Sequence, residues 1–392
     1  MPRRPQGTGS QTALRGLNTA AITRQLAVRG PQLQADLARR TGLSPATVSN
    51  IVNHEVAGGR IRTERVLRDG RWGVLVSVVP DDTVVVGIDV GRSHLRLVGS
   101  DTARRTFGAR EVALELGHQP EETFALASRL LDELVENEGL SRSQVRRCGV
   151  ALPASLGPDG AVVQQSVLRE WAGHDLVTMA RDALGIDVVV DNDANLGAFA
   201  HAGTFDVAGT LVYVKVASGI GAGIVSGNRV YRSTSGLSGE LGHVQVVDGG
   251  QTCYCGSRGC LETLASTRTI IADYARVHAR PSTLADVIEA VENQDPVALR
   301  ILAEAGDALG RVLAVVCNLL SPDVVVVGGP LAPVGQPLLD GMEASLRKRA
   351  LPASISGTTF VVSDFEPHAE VVGACLLALQ DVSDARPLVT TK

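Results

Sequence analysis

The sequence predicts an α/β protein in two parts, an N-terminal winged helix-turn-helix module followed by a two-lobed α/β body. Charge is one observation behind this. The first 80 residues hold twelve arginines and no lysine against Asp36, Glu55, Glu64 and Asp69, while the chain as a whole carries −5. A basic module on an acidic body points to a polyanionic partner for the first part only. The other two observations are a glycine turn leading into a capped helix near residue 44, and a strand-rich pattern that begins near Thr83 and starts again at Thr210.

A chain of 392 residues exceeds one ordinary core and implies two or three domains. The boundaries read as a disordered arm over 1–13, rich in Pro, Gly, Gln and Arg, a DNA-binding module over 14–80, a first lobe over 81–193 and a second over 194–392. The last helix, 368–380, is expected to pack back on the first lobe. With 44% hydrophobic and 3% aromatic residues, the cores must be built from Val, Leu, Ile and Ala. No run reaches the roughly 18 apolar residues of a membrane span, and Met1-Pro2-Arg3-Arg4-Pro5 leads into polar sequence rather than a signal segment. The protein therefore reads as cytoplasmic, with no membrane partner.

In the first module, Ala20, Ile22, Leu26 and Val28 begin an amphipathic helix that Gly30-Pro31 stops. Leu33, Leu37 and Ala38 form the inner face of a helix over Gln32 to Arg40, and Gly42 provides the turn. Ser44 is an N-cap with Pro45 in the first helical position. The helix from Pro45 to about Val56 buries Val48, Ile51 and Val52 and exposes Thr47, Ser49 and Asn50. Helix, glycine turn and capped helix with small polar residues outside describe a helix-turn-helix, whose second helix reads bases in the major groove. Ser44, Thr47, Ser49 and Asn50 are the candidate base contacts, and Arg39 and Arg40 the candidate phosphate contacts. Strands Ile61–Leu67 and Val74–Val79 joined at Asp69-Gly70 make a hairpin wing with Arg68 and Arg71 at its tip. A three-helix module that binds protein is the plainer alternative; the arginines and the turn chemistry favour double-stranded DNA.

In the body, Val84-Val85-Val86-Gly87-Ile88-Asp89 is a buried-strand run ending in an acid. Strands at His94–Val98 and Arg110–Leu114, a helix over Gln119–Glu138, and strands at Cys148–Ala151 and Val188–Val190 complete a β-β-β-α-β-α-β order. A similar order begins at 210–216 and 220–225, with a third strand near 243–247, then helices and the strand Asp323–Gly329. Two such lobes facing a cleft match the architecture shared by sugar kinases, actin and heat-shock ATPases. The turns holding Asp89, Gly91 and Ser93, then Gly219 and Gly221, then Gly328 and Gly329, are glycine-rich in the manner of phosphate cradles. Each alone also fits an ordinary tight turn. Val190-Asp191-Asn192-Asp193 follows a strand and precedes a helix, which a plain helix cap would also explain.

His243 closes the stretch Gly239-Glu240-Leu241-Gly242-His243, and Cys253-Tyr254-Cys255-Gly256-Ser257-Arg258-Gly259-Cys260-Leu261-Glu262 follows. One imidazole and three thiols within 18 residues, with glycines to bend the loop, fit one tetrahedral structural zinc held by His243, Cys253, Cys255 and Cys260. Disulfides or plain buried thiols are the alternative; in a reducing compartment a clustered Cys/His set points to metal. Cys148, Cys317 and Cys375 lie in apolar runs and read as core residues. Trp171 reads as a packing residue.

These residues carry a family resemblance. Gly-Glu-Leu-Gly-His with Cys-X-Cys-Gly-X-X-Gly-Cys-Leu-Glu resembles the ROK family of bacterial sugar-responsive repressors and sugar kinases, and Asp36 to Ser49 resembles the helix-turn-helix of its repressors. The resemblance implies a sugar-binding set of Asn192, Asp193, Glu240, His243 and Glu262, with Asp193 as general base if the chain is a kinase using ATP and Mg²⁺. It also implies that His243 serves both zinc and sugar. Three departures stand out. The wing reads Gly70-Arg71-Trp72 where the family often has Gly-Arg-Pro, the first phosphate turn reads Gly91-Arg92-Ser93 where kinases have Gly-Gly-Thr, and the second reads Ala217-Ser218-Gly219-Ile220-Gly221-Ala222-Gly223. Arginine in place of a phosphate-facing glycine weakens the nucleotide site. The expected protein is a sugar-released repressor of carbohydrate genes, binding a palindromic operator as a homodimer or homotetramer, since two recognition helices must reach half-sites about 34 Å apart. An ATP-dependent sugar kinase with a DNA-binding appendage is the alternative.

Overall fold

The computed structural model describes residues 18–385 apart from 20, 24, 27–28, 69, 80–82, 158–161, 163–167, 206–208, 228 and 366–368. The arm over 1–13, Ala20, Val28 and Asp69 lie outside the described residues. Helical residues at 18–19, 21–23, 25–26 and 29 (α1) include the buried Ile22 and Leu26, and Gly30 follows in the left-handed region at φ +69°. Helices α2 (Gln34–Thr41) and α3 (Pro45–Ala57) flank Gly42, also left-handed at φ +69°. Ser44 caps α3 by accepting from the Thr47 N–H at 3.1 Å. Val48, Ile51 and Val52 are buried against Leu37 and Ala38.

Two details of this module differ from expectation. The second helix starts at Gln34, because Gln32–Leu33 (β1) runs extended and pairs with Val76 and Leu75. The backbone after Pro31 thus completes a three-stranded sheet instead of a helical turn. The wing strands β2 (Ile61–Arg68) and β3 (Arg71–Val78) are longer at the tip than expected. Cross-strand pairing runs to Arg68 opposite Arg71, and the Arg65 guanidinium lies 5.7 Å over the Trp72 ring.

The first lobe is a five-stranded sheet ordered β6-β5-β4-β7-β8, formed by β4 (Val84–Val90), β5 (His94–Asp101), β6 (Thr106–Ala113), β7 (Val145–Leu152) and β8 (Asp187–Asn192). Every residue of β4 is buried, as its unbroken Val/Ile run requires at the centre of a sheet. Helices α4 (Pro120–Asn137) and α5 (Leu176–Leu184) cover one face, where Trp171 is buried against Phe124. Helix α6 (Asp193–Thr204) leads into the second lobe.

The second lobe repeats the plan with the order β11-β10-β9-β12-β13. Its strands are β9 (Thr210–Val216), β10 (Ile220–Ser226), β11 (Arg229–Val230), β12 (Val324–Gly328) and β13 (Thr359–Val362). The third strand is therefore Arg229–Val230, not 243–247. The latter segment bends through a 3-10 turn at Leu241–His243 and makes one bridge, Gln245 to Cys260, because the metal loop claims it. Helices α7 (Glu262–Ala265), α8 (Thr267–His278), α9 (Leu284–Glu292), α10 (Pro296–Leu320), α11 (Gln336–Arg349) and α12 (Pro352–Ile355) build the outer layer.

Helix α13 (Ala369–Ala385) packs on β4 and β7 of the first lobe and on α6. Two glycines permit the close approach: a Cβ at Gly149 would stand 2.1 Å from the Ala374 carbonyl, and one at Gly373 2.0 Å from that of Leu196. The pair α6–α13 thus lies between the two sheets, and its core joins Val85 and Val98 to Leu211, Tyr213 and Val326.

His201 sits in that core on α6, fully buried, with its ring 5.4 Å from Tyr213 and its Nε2 2.8 Å from the Ser363 hydroxyl. Burial lowers its pKa from 6.5 to about 4, against a partial opposing pull from Asp364. Between those values the unfolded chain binds a proton that the folded chain refuses, so stability falls as pH drops from 6.5 toward 4. The loss should be on the order of 3 kcal/mol. Urea titrations at pH 7 and pH 4.5 should show a shallower acid loss in His201→Phe than in wild type; equal losses would remove His201 as the cause.

Candidate functional site

The cleft between the lobes forms where strands end. Asp89 lies next to the last residue of β4, Asn192 ends β8 and Asp193 follows it, Ala217–Gly219 follow β9, and Gly328 ends β12 with Gly329 after it. Ligands of open α/β sheets bind outside these carboxyl ends. Asn192, Asp193, Glu240, His243 and Glu262 all line this one cleft, together with Gly91, Arg92, Gly219, Gly221 and Gly329.

Its floor holds a residue that the sequence reading passed over. Lys215 is one of three lysines in the chain, and it interrupts the apolar strand Thr-Leu-Val-Tyr-Val-Lys-Val. Its Nζ donates to Asp193 Oδ2 at 2.8 Å and lies 3.3 Å from Glu370 Oε1, at the start of α13. All three residues are buried. Burial disfavours the ammonium, but Asp193, Glu370 and Asp89 together hold its pKa above the ordinary lysine value. Burial pushes the Glu370 carboxyl up, and Lys215 partly offsets this. The other oxygen of Asp193 accepts from the Ala194 N–H at 2.7 Å. Both carboxylate oxygens of the candidate base are therefore engaged. A buried lysine inside a valine strand was the available signal, since such a charge must be paired.

The phosphate turns are filled in the same sense. Asp89 Oδ2 is 3.0 Å from His94 Nε2 and 3.4 Å from Arg96. Against the cost of burial, these cations with Lys215 hold the Asp89 carboxyl well below the usual range. The His94 ring occupies the space beside Gly91, where a Cβ would come within 2.0 Å of it. A Cβ at Gly328 would meet the Tyr213 hydroxyl at 2.3 Å, and one at Gly329 the Val216 carbonyl at 2.5 Å. At these three glycines the space a side chain would take is filled by protein atoms. Gly221 alone of the five is loosely surrounded, 3.5 Å from the Ala194 methyl, whereas Gly219 is half-buried in the turn. Ser93 is exposed outside the cleft lining. Imidazole and guanidinium groups thus engage one oxygen of the Asp89 carboxylate, while its Oδ1 makes no hydrogen bond.

The other side of the cleft is lined by Glu262, Glu240 and Asn192. Glu262 is 1% exposed, and its Oε1 makes no hydrogen bond but lies 3.6 Å from the Arg268 guanidinium. Its Oε2 accepts weakly from the Ile220 N–H at 3.3 Å, and burial raises its pKa. Glu240 accepts from the Ser155 hydroxyl. Asn192 fulfils the cap role: its Oδ1 accepts from the Asn195 N–H at 3.1 Å, while its Nδ2 donates to the Ala154 carbonyl.

The metal loop closes as its spacing suggests. The ligand atoms of His243, Cys253, Cys255 and Cys260 lie within 4.8 Å of one another. Cys255 Sγ is 3.7 Å from Cys260 Sγ, and Cys253 Sγ is 3.6 Å from His243 Nδ1. A tetrahedron with metal–sulfur bonds of about 2.3 Å has edges of about 3.5–3.8 Å, so the donor set fits a metal ion. Cys148, Cys317 and Cys375 are buried elsewhere.

In the N-terminal module, Asn50 and Ser44 are exposed, whereas Thr47 and Ser49 are half-buried. Thr47 is tied to Ser44 at 2.8 Å. Arg39 is exposed but paired with Asp36, Arg40 is half-buried, and Arg71 is exposed at the wing tip. No helix among the described residues is long and apolar enough to cross a membrane.

Removing the ammonium should leave buried carboxylates without a counter-charge. Lys215→Met is expected to lose about 3–5 kcal/mol in chemical denaturation, and adding Glu370→Gln should restore part of it. A single variant as stable as wild type would show the cluster to be dispensable.

The ROK family model matches residues 85–381. The xylose repressor of Caldicellulosiruptor bescii is 22% identical over 391 residues, covering 95% of this chain and 98% of that protein. A glucokinase of Halalkalibacterium halodurans is 28% identical over 316 residues, which is 76% of this chain and 96% of the glucokinase. The crystal structure of a ROK family transcriptional regulator, a homologue of the E. coli MLC protein, superposes with a TM-score of 0.73 at 25% identity, covering 94% of this chain and 96% of the other. The regulators thus match the whole length and the kinase only the body. The chain belongs to the ROK family.

Proposed function

We propose that this protein is a sugar-responsive DNA-binding repressor whose cleft binds sugar without phosphorylating it. One observation carries the reading: the carboxylate that would serve as kinase base, Asp193, is ion-paired to buried Lys215 and bonded to its own helix. A base must turn a free oxygen to the substrate's proton, and both oxygens of Asp193 are already engaged, by Lys215 and by the Ala194 N–H. Asp193 instead acts as a fixed hydrogen-bond acceptor, alongside Glu240 and the open oxygen of Glu262. The match of repressors over the N-terminal module supports the DNA-binding half. Asn50 is the base-reading candidate and Arg71 the phosphate candidate. Arg39 contributes after releasing Asp36, and two copies of the chain supply the two recognition helices.

The metal of the loop is a structural zinc. Four protein donors leave it no open position, so its task is to hold Glu240, His243 and Glu262 on the sugar side of the cleft.

Helix α6 offers the route from sugar to DNA. Asn192 and Asp193 begin it at the cleft. At its other end the Arg29 guanidinium of α1 donates to the carbonyl of Phe205 at 3.1 Å, a cation on a helix C-terminus. Sugar drawing Asn192 and Asp193 inward moves the far end of the helix and with it the DNA-binding module. A coupling of about 1–3 kcal/mol suffices for such a switch.

Purified protein should release an operator fragment on addition of its sugar and show no sugar-dependent ATP consumption; Asp193→Asn should need more sugar for release. Robust phosphorylation of any sugar, abolished in Asp193→Asn, would establish the kinase instead. Arg29→Ala should bind sugar and operator separately within a few-fold of wild type, yet lose most of the sugar-induced release. Unchanged release in that variant would take α6 out of the route.

A further inference from the structure

We infer that Tyr254, held by His243, is the residue through which the metal loop donates a hydrogen bond to the bound sugar; this rests on the sugar-sensor reading above. Tyr254 stands between two metal-binding cysteines. With Cys253 and Cys255 both turned to one ion, the residue between them projects away from it, and Tyr254 lines the cleft beside Glu240 and Glu262. Its Oη lies 3.1 Å from His243 Nε2, with the two rings edge to face at 5.0 Å.

That contact decides the proton positions. His243 Nδ1 is the ring nitrogen beside Cys253 Sγ, at 3.6 Å, so it is the one that faces the metal. An imidazole with one nitrogen on a metal carries its hydrogen on the other. Nε2 therefore donates, and Tyr254 Oη accepts. A phenol has one hydrogen of its own, and no acceptor for it occurs among the described residues. The hydroxyl is left as a directed donor in a cleft whose facing groups, Asp193, Glu240 and Glu262, are carboxylates.

The chemistry suits a polyol. Each sugar hydroxyl that donates to a carboxylate keeps lone pairs that need a donor, and Tyr254 supplies one. It also alters what the family resemblance implies for His243: the Nε2–H reaches the sugar through the tyrosine, since the phenol already occupies its hydrogen-bonding direction. His243 and the metal then position Tyr254, and Tyr254 selects for a sugar carrying an oxygen at one ring position.

The test uses the full-length, zinc-loaded protein and calorimetry with D-glucose, D-xylose, N-acetyl-D-glucosamine and their monodeoxy analogues. Tyr254→Phe keeps the ring and removes the hydroxyl. The expected result is zinc content equal to wild type, with affinity for the bound sugar reduced about tenfold. One deoxy analogue should bind wild type and variant alike, because it lacks the oxygen that Tyr254 serves. Equal or tighter sugar binding by the variant overturns the inference and leaves the sensor reading intact; tighter binding would mean that the phenol blocks the cleft. Loss of zinc from the variant also overturns it, by assigning the hydroxyl to the metal site. Wild type that binds none of these sugars overturns the sensor reading and the inference together.

Discussion

The arrangement of the cleft depends on one ammonium group. Lys215 comes from β9 of the second lobe, Asp193 from the head of α6, Glu370 from the head of α13, and Asp89, within electrostatic reach, from β4 of the first lobe. Four elements from both lobes thus meet around one charge. Burying any one of these groups alone would cost several kcal/mol; together they offset one another in a low-dielectric floor where the attraction is strong. Such a cluster adds little net stability but strongly favours one arrangement of its members. The choice of lysine is physical. The chain uses arginine almost everywhere else, but a planar guanidinium needs a wide fork of acceptors, whereas a compact ammonium can be shared among carboxylates from different directions.

The same cluster divides the cleft into two halves of different character. On the nucleotide side Asp89 Oδ2 faces His94 and Arg96, and the space a side chain would take at Gly91, Gly328 and Gly329 is filled by His94, Tyr213 and the Val216 backbone. On the other side Glu262 Oε1 is buried without a hydrogen bond, with the Arg268 guanidinium 3.6 Å away, which is unusual for a group so enclosed. A ligand hydroxyl would satisfy it.

Legibility in the sequence followed locality. Helix caps, the Gly42 turn, the wing hairpin and the metal loop are set by residues close together in the chain, and their signals are residue types at fixed spacing. The extended Gln32–Leu33 segment was missed because its pairing partner lies more than 40 residues away. The third strand of the second lobe was misplaced to 243–247 for a related reason: an alternating apolar pattern there belongs to a loop bent around metal ligands. Lys215 was legible as an anomaly, but its partners Asp193 and Glu370 are 22 and 155 residues distant. The nucleotide turns illustrate the reverse error. Glycine there was read as room for a phosphate, and only the fold reveals that neighbouring side chains use that room.

Helix α6 shows how little separates the two activities this scaffold supports. Its first turn carries Asn192 and Asp193, which a kinase would use for chemistry and a sensor for recognition. In this chain the helix end at the cleft is fixed by Lys215, and the end far from it is grasped by Arg29. A helix is stiff over 12 residues, about 18 Å, so displacement at one end is carried to the other rather than absorbed. Pinning the carboxylate occupies both of its oxygens, yet makes it a firm point against which a ligand can pull. The feature that weakens the cleft as a catalyst is thus the one that suits it to moving a distant module.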